Sequence, residues 1–132
     1  MCIDVAKVLA SDLLYGTKQS VIDHVLWVWS EFDGKTKGCQ YWSKNAKRAK
    51  DGEPLIHEHV VPRKIIRDKL FSIKNPTKIK VRNILTKYCI GVVVTKTEDK
   101  KLTTEGLKSK MPEDWDGKDI WARYSKSKIK LA

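Results

Sequence analysis

One seven-residue run constrains this chain more than any other: Cys89-Ile90-Gly91-Val92-Val93-Val94-Thr95, whose β-branched side chains suit a pleated surface far better than a helix. Directly behind it, Thr95-Lys96-Thr97-Glu98 has the spacing of a capping box. It opens a helix that carries Asp99, Lys100, Lys101 and Leu102. A strand needs a partner, and the best one available is Leu55 to Val61, with Ile56, Val60 and Val61 apolar or β-branched. The turn Asp51-Gly52-Glu53-Pro54 bounds it on one side and Pro62 on the other. Strands near 55–61 and 89–95 therefore predict a small β-hairpin followed by a helix.

The rest of the chain reads as helical. Residues 3–14 place Ile3, Val5, Val8, Leu9, Leu13 and Leu14 on one face, and Gly16 is expected to close that element. A second helix is expected from Lys18 to about Phe32, with Val21, Val25, Val28, Trp29 and Phe32 as its stripe. His24 lies between them as a surface residue, and Asp33-Gly34 is the stop. Ser43 can cap a short helix through Ala49. Pro62 can start a helix carrying Ile65, Ile66, Leu70 and Phe71. Asn75-Pro76 is expected to cap another, with Ile79, Val81, Ile84 and Leu85 running up to Tyr88. Turns at Met111-Pro112 and Asp116-Gly117 precede a short helix over 119–124. The class is α+β, mostly helical. The 132 residues predict a single domain, with a helical part over 1–50, a core over 55–105 and a C-terminal extension over 106–132.

Charge is unevenly spread. Residues 1–34 carry two lysines against five acids, a net of −3. Residues 35–87 carry fifteen lysines and arginines against four acids, a net of +11. Residues 88–132 carry ten against seven, a net of +3. A field concentrated in the middle of the chain suits a polyanionic partner, although lysine-rich surfaces also arise without one. The apolar runs are too short to span a bilayer, and Asp4 and Lys7 interrupt the opening hydrophobics, so no membrane partner and a cytoplasmic location are expected. Cys2, Cys39 and Cys89 are widely spaced, which predicts three free thiols rather than a zinc knuckle or disulfide framework.

The densest chemistry lies in His57-Glu58-His59-Val60-Val61-Pro62-Arg63-Lys64. Glu58 offers a hard oxygen for magnesium or manganese, with zinc as an alternative, and His59 titrates near neutral pH. Alternation along a strand points neighbours to opposite faces, so both serve one site only where the strand ends or bulges. His57 is a candidate auxiliary ligand. A further ligand is expected from Asp99 in the first turn of the later helix, a position that would equally favour the helix dipole.

Glu58-His59-Val60-Val61-Pro62 resembles the first motif of the HNH, or ββα-metal, endonucleases, and residues 92–102 are similar to that family's second strand and helix. The resemblance implies a hairpin and helix around one divalent cation and hydrolysis of phosphodiesters, in DNA sooner than RNA. His59 would act as general base, with Glu58 and Asp99 on the metal. No histidine follows residue 59, so Asp99 stands where the family has its last histidine. Its asparagine has only a weak counterpart, Asn83. Arg63, Lys64 and Arg67, and the Lys44, Lys47 and Arg48 group beside Tyr41-Trp42, are the expected phosphate contacts.

Other readings compete. Glu98-Asp99-Lys100 has the acid-x-Lys end of another nuclease core, but the nearest upstream aspartate, Asp68, falls in a predicted helix. The His-Glu-His spacing is wrong for a zinc-protease helix, and Lys118 spoils the calcium-loop look of 114–119. A non-catalytic basic domain, binding nucleic acid or acting as an accessory or inhibitor protein, fits the composition as well. A homodimer or a larger complex is left open by the sequence.

Overall fold

The computed structural model describes residues 1–31 and 38–132. Along the chain run α1 (Cys2–Ala10), α2 (Tyr15–Glu31), β1 (Tyr41–Trp42), α3 (Lys44–Lys47), β2 (Leu55–His59), α4 (Arg63–Phe71), α5 (Lys78–Tyr88), β3 (Gly91–Thr95), α6 (Lys96–Thr104) and α7 (Ala122–Lys126). The class is α+β and mostly helical, as expected. Among the described residues no helix is long and apolar enough to cross a membrane.

The two expected strands do pair. β2 runs antiparallel to β3, with Leu55 opposite Thr95, Glu58 opposite Val92 and His59 opposite Gly91. Helices α4 and α5 fill the connection between them. The sheet has a third strand that the sequence reading did not anticipate: β1 lies parallel to β3 on its other edge, giving the order β1-β3-β2. Two residues are too few to show a period, and parallel pairing is a long-range event. A central strand is covered on both sides, which explains why Val92-Val93-Val94 is continuously apolar. Val92 and Val94 pack with Val60, Leu102, Leu107 and Tyr124. Val93 faces the other way, onto Cys39 and Ala46. The largest cluster joins α1, α2, α4 and α5 through Val5, Ile22, Leu26, Ile66, Leu70, Val81 and Leu85, all buried. Each such side chain contributes roughly 1.5–3 kcal/mol.

Local signals set several boundaries. Ser43 accepts from the Ala46 amide at the start of α3, and Thr95 and Glu98 close both halves of the capping box at the start of α6. Others fall differently. Thr77, not Asn75, caps α5, and Asn75 instead takes a left-handed φ of 51° that asparagine tolerates. Ser11 ends α1 in extended backbone, while Gly16 sits in the first turn of α2. The stripe of α2 is also rotated: Ile22 and Leu26 are buried, while Val21 and Val28 are exposed. Apolar residues at 21, 22, 25, 26, 28 and 29 cover so much of the circumference that periodicity admits two faces, and packing chooses one. The expected stop at Phe32, Asp33 and Gly34 lies outside the described residues. The tail helix forms at Ala122–Lys126 rather than over 119–124. All three cysteines are buried, and Cys2 and Cys89 are free thiols.

Candidate functional site

The strand β2 ends at His59, and a cleft of about 370 Å³ opens there. His57, Glu58 and His59 line it from the strand, Asp99 from the first turn of α6, and Arg63, Lys64 and Arg67 from α4. The fold thus brings together two stretches separated by a helical insertion. It also adds residues that sequence reasoning missed: Asp23 and Trp27 from α2, and Lys108 and Ser109 from the segment after α6. Asn83 lies elsewhere, exposed on α5.

Alternation along β2 sends Glu58 and His59 into different surroundings. Glu58 faces α7. Its Oε1 accepts from Arg123 Nη2 at 2.5 Å, and its Oε2 accepts from the Tyr124 hydroxyl. Arg123 is fully buried and also donates to the carbonyls of His59, Val60 (3.1 Å) and Leu107 (2.6 Å). Five donors in a rigid fork explain why arginine can tie so many acceptors at once. Burial pushes the Glu58 carboxyl above its ordinary range, against the pull of Arg123 and Tyr124, and the Asp99 charge adds to the rise. Burial also raises the Tyr124 hydroxyl, as does the Glu58 charge.

His59 faces α2. Its Nε2 lies 2.6 Å from Ser30 Oγ, which itself donates to the Leu26 carbonyl at 2.9 Å. Burial first, and then the His57 charge, lowers this imidazole from 6.5 to about 4. It is neutral at pH 7, but a weaker base than one poised near the working pH. His57 Nε2 sits 3.4 Å from the Ser30 carbonyl, and the two imidazoles meet edge to face at 5.3 Å. Burial pushes the neighbouring Cys89 thiol up to about 12, so it is inert as a nucleophile.

Two features of this donor set weigh against a resident cation. Both Glu58 oxygens are already engaged, and the Arg123 guanidinium supplies the positive charge that an ion would bring. Among the described residues no three His, Cys, Asp or Glu side chains are grouped to hold a metal.

The rim carries the cations. Arg63, Lys64 and Lys108 are exposed, whereas Arg67 is partly neutralised by Asp23 at 2.7 Å. The other expected group divides: Lys44 and Arg48 line a separate basic hollow with Asn45, Lys128 and Lys130, while Lys47 stands 4.9 Å over the Trp42 ring. Tyr41 and Trp42 are half-buried in β1, packed against Trp121 and under Lys47 respectively. Compared with protein-family models, with curated proteins and with solved structures, the chain matches none.

Proposed function

We propose that the protein binds nucleic acid through the cleft at the end of β2, as a basic binding domain. The observation that carries this reading is the convergence of Arg63, Lys64 and Lys108 on one cleft in a chain of net charge +11. Cationic side chains on a phosphate backbone release condensed counterions, and affinity then falls steeply with salt. DNA is the partner we favour, and the buried free thiols of Cys2 and Cys89 suit a reducing, cytoplasmic setting. The test is oligonucleotide affinity as a function of salt, for the native protein and for Arg63→Ala with Lys64→Ala. Losing two phosphate contacts should lower the slope of log affinity against log salt by about 1.8 on duplex DNA, or about 1.4 on a single strand. An unchanged slope and affinity would remove the cleft from consideration.

A second reading, metal-dependent phosphodiester cleavage, is favoured by one observation. The order β2, β3, α6, with Glu58-His59 at the strand end and Asp99 on the same cleft, is the arrangement that the HNH resemblance implies. The engaged oxygens of Glu58 and the low pKa of His59 weigh against it. Plasmid incubated with magnesium or manganese decides. Nicking that is lost with a chelator and in His59→Ala selects the nuclease, and intact plasmid with retained binding selects the binding domain.

A further inference from the structure

We propose that the cleft receives an unpaired nucleobase on Trp27, which makes single-stranded nucleic acid its preferred ligand over duplex. This rests on the nucleic-acid reading above and adds to it the form of the ligand. Trp27 lies in the last turns of α2, lines the cleft and keeps 38% of its surface exposed. A large apolar ring partly open to water beside cations offers a stacking surface, and every base presents a π-face to such a ring.

The ring is also held in place. His57 meets it edge-on at 4.7 Å, His59 lies 5.7 Å away, and the Arg63 guanidinium stands 5.9 Å from its centre. A braced indole loses little side-chain freedom when a base stacks on it. Lys64 and Lys108, on the same cleft, can meet the phosphates on either side of that base. About 370 Å³ is near the lower end of cavities that hold one small group, so a duplex could use this ring only by extruding a base. Single strands offer their faces without that cost.

Labelled oligothymidylate and a mixed-sequence duplex of equal length, each titrated over the same series of salt concentrations, test the proposal with the native protein and the variants Trp27→Leu and Trp27→Phe. The native protein should bind the single strand more tightly than the duplex. Trp27→Leu, which keeps apolar cover over His57 and His59, should weaken single-strand binding roughly 5- to 150-fold and leave the salt slope unchanged. Trp27→Phe should retain most of the affinity. Equal or tighter duplex binding overturns the proposal while leaving the nucleic-acid reading intact, as does full affinity in Trp27→Leu. No binding of either ligand overturns both. Should Trp27→Leu fail to fold, the native preference for single strand over duplex still decides.

Discussion

At the scale of single residues, His59 shows how burial alone changes what a side chain can do. The imidazole is 6% exposed and held against Ser30, and its pKa is lowered to about 4. The unfolded chain takes up a proton near 6.5, which the folded chain refuses until about 4. Stability is therefore level above that upper value and falls as pH drops between the two, by about 3 kcal/mol in all. Glu58 works in the opposite sense: its raised pKa means that the folded form takes up its proton first, so acid favours folding there. The two separate in a comparison with His59→Gln, whose amide can still bond Ser30 but does not titrate. Urea unfolding from pH 7 down to about 4 should show the native protein losing about 3 kcal/mol relative to the variant. A constant difference across that range would mean that His59 is not buried as described.

Among the elements, β3 and α2 approach closely where Gly91 meets the Ser30 carbonyl, beside His57. Gly91 lies opposite His59, and a Cβ there would stand 2.6 Å from the Ser30 carbonyl and overlap the His57 imidazole. Backbone cannot step aside as a flexible side chain can. Gly91→Ala should cost about 1–3 kcal/mol, read as a lower urea midpoint. Gly16→Ala is the contrast: nothing lies within 4 Å of the added carbon, and the site is an exposed first turn of helix. It should be neutral or stabilising by up to about 1 kcal/mol. Similar midpoints for the two variants would contradict this packing. Both glycines look alike as letters, and only the neighbour across the fold tells them apart.

For the molecule as a whole, Arg123 is the pin between the C-terminal helix and the middle of the chain. It joins α7 to the end of β2 across 65 positions of sequence and is fully buried. Deleting one partner of a buried pair leaves the other charged or unsatisfied, at a cost of about 3–5 kcal/mol. Arg123→Met should therefore destabilise by that amount in urea unfolding, and Arg123→Met with Glu58→Gln should recover part of the loss. No recovery in the double variant would show that the carbonyl contacts to residues 59, 60 and 107, not the ion pair, carry the cost.

What was legible in the chain was what acts within a few residues. The capping box at Thr95, the Ser43 cap, the β-branched run ahead of α6 and the strand ending near Pro62 are all local steric or hydrogen-bonding preferences, written where they act. The residues flanking His59 could also be read as strand neighbours that face opposite ways. Tertiary structure decided the rest. It rotated α2 to bury Ile22 and Leu26, added β1 to the sheet, and turned Trp27 onto the cleft. It also filled the carboxylate of Glu58 with Arg123 and Tyr124 instead of leaving it open. Those outcomes depend on which distant groups best fill and satisfy a shared volume, and short-range periodicity holds no record of that competition.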